Sequence, residues 1–206
     1  PMPDLNALLN PRSIALIGAS PEETTIRGRM VQGVKHLPYP GEVVAVSRTH
    51  KNIGGLRTVS SVEDLPYGMD LAVIAVPSQF VASALRTAAE RGVRASVIIS
   101  SGFAEERGEA GKERQDEVVA IIKQYDLAVC GPNAEGFLNA TAPVAATFSP
   151  TALELEHGSI LHATPGGAMA VVSQSGGIGF SFLNRGVPAG IPVSYVISTG
   201  NEAGVD

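Results

Sequence analysis

The sequence predicts an α/β protein built on a doubly wound parallel sheet, followed by the start of a second α/β unit. Three observations carry this. Short apolar runs recur along the chain, each is followed by Gly, Pro or Ser, and most are separated from the next by a longer amphipathic stretch. The runs are continuous rather than alternating, as expected of strands covered by helices on both faces. With 206 residues, 44% hydrophobic and 17% charged, the chain can bury a sizeable core, which a disordered or polyelectrolyte chain cannot. A net charge of −5 supplies no basic field for nucleic acid, and no polybasic stretch suits a membrane surface.

The strands are expected at residues 14–17, 43–46, 71–76, 97–99 and 127–130. After the first, residues 27–36 read as a helix interrupted by glycines, and 51–68 as irregular with a single turn near 61–65. Ser78 can cap a helix that places Val81, Ala84, Leu85 and Ala88 on one face, with Gly92 ending it in left-handed geometry. Residues 108–125 put Val118, Ile122 and Tyr125 on one stripe of a surface helix. The Glu-rich run from Glu105 to Glu117 reads as its solvated face.

Residues 1–140 are thus expected to form the first domain. Residues 141–167, punctuated by Pro143, Pro150 and Pro165, read as a linker with one short extended piece near Ile160. Residues 168–206 then open a second domain with a strand at 169–172, a glycine-rich turn, a short helix ending near Gly186 and a strand at 193–198. One helix between two strands cannot cover both faces of a sheet, so the second domain is expected to be incomplete, with exposed apolar edges around 193–197 and self-association to follow.

The single cysteine, Cys130, excludes an intrachain disulfide, and it reads as a buried, inert thiol at a strand end. His36, His50, His157 and His162 show no structural zinc pattern and no nameable carboxylate partner. A reducing cytoplasm fits. The first ten residues lack the basic-then-apolar order of a signal peptide, and the apolar runs are far short of the roughly 20 residues that span a bilayer.

The chemistry-bearing positions lie at the C-terminal ends of the expected strands, where doubly wound sheets bind ligands. Gly18-Ala19-Ser20 follows the first strand, at the place where backbone amides hold a phosphate; the dinucleotide fingerprint GxGxxG is absent. Ser47-Arg48-Thr49-His50-Lys51 follows the second, with cations where an NAD site places an acid, which suits a ribose phosphate of NADP or of coenzyme A or, alternatively, a solvated loop. Val76-Pro77-Ser78, Ser100-Ser101-Gly102-Phe103 and Gly131-Pro132-Asn133 supply hydroxyls, amides and an aromatic, none of them a strong acid, base or metal ligand, so the crevice reads as binding rather than reacting. Ser173-Gln174-Ser175-Gly176-Gly177 presents a second helix N-terminus to an anion and lacks the GxSxG pattern of a serine nucleophile.

Taken together, Asn10-Pro11-Arg12-Ser13-Ile14-Ala15-Leu16-Ile17-Gly18-Ala19-Ser20, Leu71-Ala72-Val73-Ile74-Ala75-Val76-Pro77, Ile98-Ile99-Ser100-Ser101-Gly102-Phe103-Ala104-Glu105, Gly131-Pro132-Asn133, Ser173-Gln174-Ser175-Gly176 and Gly200-Asn201-Glu202-Ala203 resemble the NDP-forming acyl-CoA synthetase superfamily. The resemblance implies a Rossmann-like CoA-binding domain followed by a flavodoxin-like domain, with ATP and Mg handled by an ATP-grasp domain or subunit outside this chain, a carboxylic acid as substrate and an oligomeric full-length enzyme. It implies CoA contacts at Gly18, Ala19, Ser20, Val76, Pro77, Ser100, Ser101 and Asn133, and stabilisation of a phosphohistidine by Ser175, Gly176 and Gly177; Ser47, Arg48 and Gly102 join the CoA-binding candidates from their places at the strand ends. The phosphorylated histidine is expected beyond Asp206, so no catalytic residue and no metal ligand is assigned here, and the chain alone is expected not to complete a cycle. The pattern departs from its relatives at Val46-Ser47-Arg48, where many read Val-Asn-Pro, and at Ala134-Glu135, where the usual pair is Cys-Leu. The alternatives are a CoA- or nucleotide-sensing module of a protein acetyltransferase, and an NADP-dependent oxidoreductase domain, which needs a hydride-transfer site the sequence does not reveal.

Overall fold

Side-chain caps mark several points where the chain turns into helix. In the computed structural model, which describes residues 3–154 and 168–205, Asp4 caps α1 (Leu5–Leu9) by accepting from the Ala7 amide at 2.9 Å, and Thr25 caps α2 (Ile26–His36) by accepting from the Gly28 amide at 3.1 Å. Strands β1 (Ser13–Ile17), β2 (Glu42–Val46), β3 (Arg57–Val59), β4 (Leu71–Ile74), β5 (Ala95–Ile98) and β6 (Ala128–Cys130) form a six-stranded parallel sheet in the order β3-β2-β1-β4-β5-β6. That is the order of a doubly wound nucleotide-binding sheet. Neither α1 nor β3 is foreseen in the sequence: β3 has three residues and no buried one, so no apolar run announces it. The single turn expected near 61–65 is a 3-10 turn at Val62–Asp64.

Alternation along the strands divides the core. Ile14 and Leu16 pack with Met30, Val31 and Val34 of α2, whereas Ala15 and Ile17 pack on the opposite face with α3 (Val81–Glu90) and α4 (Glu109–Tyr125). The expected stripe of α3 is buried, and Gly92 follows in the left-handed region at φ +83°. Ser78 does not cap it, because a 3-10 turn at Ser78–Phe80 intervenes before the helix proper. On α4, Ile121 joins Val118 and Ile122 in the core, while Tyr125 packs at its margin.

A second sheet holds β7 (Gly136–Asn139), β8 (Val144–Thr147), β9 (Met169–Ser173) and β10 (Val193–Ser198) in the order β8-β7-β10-β9. The helices α5 (Pro150–Glu154) and α6 (Gly176–Gly186) accompany it. The stretch from 141 onward therefore contains β8 and α5, which the flanking Pro143 and Pro150 disguise as a linker; Ile160 lies outside the described residues. The exposed edge expected at 193–197 is also corrected. Strand β10 is interior, paired antiparallel with β7 and parallel with β9, and Val193 and Val196 are buried, because β7 arrives from the preceding segment to cover it. The exposed apolar edge falls instead on β9, where Val172 is 65% exposed.

Three fasteners join the sheets. A Cβ on Gly33 would lie 2.3 Å from the Thr147 carbonyl oxygen, so α2 rests backbone against backbone on β8. Buried Asn139 donates to the Leu9 carbonyl at 2.8 Å and to Asn10 Oδ1 at 2.9 Å, while its own oxygen accepts from Thr141 and Ala142. Beyond β10 the amides of Asn201, Ala203 and Val205 donate to the carbonyls of Pro132, Gly131 and Val129 at 2.9, 3.0 and 2.9 Å, running antiparallel along the outer edge of β6.

Candidate functional site

The sheet order sets β1 between β2 and β4, so the loops after β2, β1, β4 and β5 stand side by side at one edge. Gly18 adopts φ +88°, and a Cβ there would lie 2.5 Å from the Ala75 carbonyl oxygen; a side chain is excluded by both backbone angle and space. Its carbonyl accepts from Arg27 Nε. Ala19 is packed inward, and the buried Ser20 hydroxyl accepts from the Glu22 amide at 3.2 Å. The Ala19 and Ser20 amides donate to no described group, and both residues are buried.

The neighbouring loop is held by buried Ser47, whose hydroxyl accepts from the His50 amide at 3.3 Å and leaves Arg48, His50 and Lys51 exposed. Among the described residues Arg48 and Lys51 have no carboxylate partner. On the far side of β1, Val76 is half-buried and Pro77 exposed, and Ser100 donates to the Val76 carbonyl at 2.6 Å, tying the loops after β4 and β5 together. Ser101 is exposed and Gly102 buried. This crevice brings together Gly18 to Ser20, Ser47, Arg48, Val76, Pro77 and Ser100 to Gly102.

Asn133 belongs to a different place. A cleft of about 640 Å³ opens between the loops after β5 and β6 and the start of α6, lined by Glu105, Asn133, Glu135, Ser175, Gly176 and Asn201 among others. Asn133 donates to Asn201 Oδ1 at 3.4 Å, and Asn201 Nδ2 donates to Glu105 Oε2 at 2.5 Å and to Gln115 Oε1 at 2.9 Å. Glu105, though exposed, is not part of the helix face that its Glu-rich run predicts, whereas Glu109, Glu113 and Glu117 on that helix are exposed as expected. Glu105 precedes α4, and its Oε1 accepts from the Gly102 and Phe103 amides at 2.6 and 3.2 Å. Burial pushes its pKa up, but the Asn201 amide group and these backbone donors outweigh that and hold it below the usual carboxylate value. Ser175 caps α6 by accepting from the Ile178 amide at 3.4 Å. Glu135 fills the space before Gly176, where an added Cβ would lie 2.2 Å from Glu135 Oε2. Gly177 faces open space outside the cleft lining.

Sequence reasoning missed Gln115, the clamp on Glu105 and the exposed Phe80 ring, whose centroid lies 6.0 Å from the Arg48 guanidinium carbon. A single sequence does not distinguish an exposed aromatic from a core one, and Asn201 is visible only as part of a motif without a role. Cys130 is buried, its thiol donating to the Ser198 carbonyl at 2.9 Å, and burial pushes its pKa up to about 12. His50 is exposed, His36 ends α2, and His157 and His162 lie outside the described residues. Among the described residues no three His, Cys, Asp or Glu side chains are grouped to hold a metal ion, and no helix is long and apolar enough to cross a membrane.

Comparison with known proteins extends this geometry. A family model described as a CoA binding domain matches residues 12–140, and one described as a succinyl-CoA ligase like flavodoxin domain matches residues 166–206. The chain is 34% identical over 202 residues to the alpha subunit of ADP-forming acetate–CoA ligase II of Pyrococcus furiosus, covering 98% of this chain and 41% of that protein. It is 32% identical over 201 residues to the ADP-forming 4-hydroxybutyrate–CoA ligase of Nitrosopumilus maritimus, covering 95% of this chain and 26% of that one. Its structure is similar to that of the dinucleotide-forming acetyl-coenzyme A synthetase 1 of Candidatus Korarchaeum cryptofilum in complex with phosphate and ADP, with a TM-score of 0.85, 33% identity and coverage of 98% of this chain and 41% of that one. The chain thus spans less than half the length of these relatives.

Proposed function

This chain belongs to the CoA binding domain family, and on that premise we propose that it is the CoA-binding portion of an ADP-forming acyl-CoA synthetase. The reaction joins a carboxylic acid to the CoA thiol: ATP phosphorylates the acid, the thiol displaces phosphate from the acyl phosphate, and ADP is released. In this reading an ATP-grasp domain or subunit holds the nucleotide and Mg, and the assembled enzyme works in a reducing cytoplasm. CoA lies along the crevice, with its phosphates toward the turn formed by Gly18, Ala19 and Ser20 and the exposed Arg48 and Lys51. Gly18, Val76, Pro77, Ser100, Ser101 and Gly102 form the walls. Asn133 and the Ser175-Gly176 start of α6 serve the acyl and phosphoryl end in the neighbouring cleft, with Gly177 completing the turn.

The observation that carries this reading is the edge itself, where the Gly18–Ser20 turn at the end of β1 neighbours the loop after β2 with its two exposed cations, Arg48 and Lys51, which have no carboxylate partner among the described residues. Backbone amides and cations are the groups that hold a phosphate, and a crevice without a strong acid or base carries a ligand rather than transforms it. A thermal-shift titration with CoA, 3′-dephospho-CoA, NADP and NAD tests it. A ligand at 100 times its Kd stabilises by about 2.7 kcal/mol, which for a domain of this size is a shift of roughly 5–11 °C. Stabilisation by CoA, weaker for the dephospho form and absent for NAD, is the expected outcome. Stabilisation by NADP alone would overturn the proposal.

A further inference from the structure

We infer that Glu135 selects the acid: the cleft beside α6 takes a carboxylic acid that also carries an ammonium group, which Glu135 receives, and it disfavours dicarboxylic acids. The inference rests on the CoA reading above and names the class of acid that this reading leaves open.

Glu135 is fixed at its backbone and free at its tip. It stands between β6 and β7, where its amide donates to Ser198 Oγ at 3.1 Å and its carbonyl accepts from Thr147 Oγ1 at 2.6 Å. The side chain lies along the start of α6, since a Cβ on Gly176 would meet Glu135 Cβ at 2.3 Å and Oε2 at 2.2 Å. The residue is half-buried, yet among the described residues its carboxylate has neither an ion pair nor a hydrogen bond. The dipole of α6 favours an anion at this end, but no amide of the helix bonds to the carboxylate, so its capacity to accept is unused. A carboxylate withdrawn from water is stabilised by a donor or a cation, and Glu135 lines the cleft, so the group that pairs with it is one that enters the cleft.

The rest of the lining leaves that charge uncompensated. Among the described residues around the cleft there is no lysine, arginine or histidine. The second carboxylate, Glu105, is already engaged by the Gly102 and Phe103 amides and by Asn201. Gln115, Asn133 and Gln174 are neutral, and Ile99, Ala104 and Phe148 supply an apolar wall that suits a short methylene chain. A second carboxylate on the substrate meets no cation here and faces Glu135, a like-charge contact that discriminates against it. An ammonium group meets an acceptor with no other partner and forms a charge-assisted hydrogen bond. Glu135 lies beside Gly176, so one wall of the cleft offers a carboxylate to the ammonium and the positive start of α6 to the carboxyl group that is activated.

The test is calorimetric titration of the whole chain, unaltered and as Glu135→Gln and Glu135→Leu, with CoA, β-alanyl-CoA, butyryl-CoA and succinyl-CoA. The β-alanyl and butyryl groups differ only in an ammonium in place of a terminal methyl, and the succinyl group carries a carboxylate there. A hydrogen bond to a charged group corresponds to about tenfold in affinity or more. The unaltered chain is expected to bind β-alanyl-CoA about tenfold more tightly than butyryl-CoA, and succinyl-CoA more weakly than either. With each variant's affinity for CoA as its own reference, Glu135→Leu is expected to erase the preference for the ammonium and Glu135→Gln to weaken it. Both are expected to bring succinyl-CoA to the level of butyryl-CoA. A preference that survives Glu135→Leu, no preference in an unaltered chain that binds CoA, or losses in both variants as large for CoA as for β-alanyl-CoA would overturn the selection and leave the CoA reading intact. Failure of the unaltered chain to bind CoA at all overturns both.

Discussion

Asp70→Asn separates the two edges of the first sheet. Asp70 stands just before β4, Arg12 just before β1 and Arg94 just before β5, at the end of the sheet opposite the crevice. The carboxylate is 3% exposed; Oδ2 accepts from the Arg12 amide at 2.8 Å and from Arg12 Nε at 3.2 Å, and Oδ1 accepts from Arg94 Nη2, which belongs to a guanidinium that also reaches Asp4 at 2.7 Å. Burial pushes the Asp70 pKa up, but the Arg12 amide and the two guanidinium groups outweigh it and leave it below the ordinary value. A carboxyl depressed in the folded state contributes stability that is fully present above the unfolded pKa of about 3.9 and is lost as pH falls through the folded value. Asparagine keeps an acceptor but not the charge. The arginine side chains are 48% and 85% exposed, so water takes over part of their solvation and the cost falls below the roughly 3–5 kcal/mol of a broken, fully buried pair. We expect about 1–2 kcal/mol at pH 7, a fall in Tm of roughly 2–8 °C, with the gap between variant and parent narrowing below about pH 4 as Asp70 protonates. CoA affinity should not change. A gap that stays constant from pH 7 into the acid limb, or a shift in the CoA Kd, would refute the reasoning.

Three other substitutions and one labelling experiment probe the rest of the structure. Gly18→Ala places a Cβ 2.5 Å from the Ala75 carbonyl oxygen at φ +88°, and should lower Tm and weaken CoA binding together in thermal-shift titration. Asn201→Ala removes donors from Glu105 and Gln115, so hydrogen exchange at the Gly102 and Phe103 amides should accelerate while the strands of the first sheet keep their protection. Cys130, with its pKa pushed up to about 12, should resist a thiol reagent at pH 8 until denaturant is added; prompt labelling of the native chain would contradict its burial. Val172→Lys puts a charge on the exposed β9 edge and should reduce any self-association seen by light scattering.

The parallel sheet was legible because its strands are buried on both faces and so appear as unbroken apolar runs, bounded by the turn residues that also form the crevice. Elements that lack this signal were not legible. Strand β3 has no buried residue, α1 is a five-residue helix, and β8 is a Val-Ala-Ala-Thr segment between two prolines. The place of β10 could not be read either, because its neighbour β7 comes from the end of the segment assigned to the first domain. Among site positions, those after strands could be listed from sequence as a group, since parallel topology brings all such loops to one edge. Their division between a crevice and a cleft depends on side-chain partners separated by up to 96 positions, as in the bond from Asn201 to Glu105.

These partners give the motif residues two kinds of work. Asn10, Asn201 and Ala203 join the sheets through Asn139, Glu105 and the edge of β6, while Gly18 and the residues after β2 and β4 shape the crevice. The loop after β5 does both. Ser100 holds the Val76 carbonyl on the crevice side, and two residues later the Gly102 amide holds Glu105, which in turn accepts from Asn201 on the cleft side. A hydrogen-bonded route through a single loop therefore joins the wall of the crevice to the wall of the cleft beside α6. On the proposed reading, a carrier gripped at one end and reacting at the other needs its two sites at a fixed spacing, and this loop, anchored at both walls, is the element that would set it.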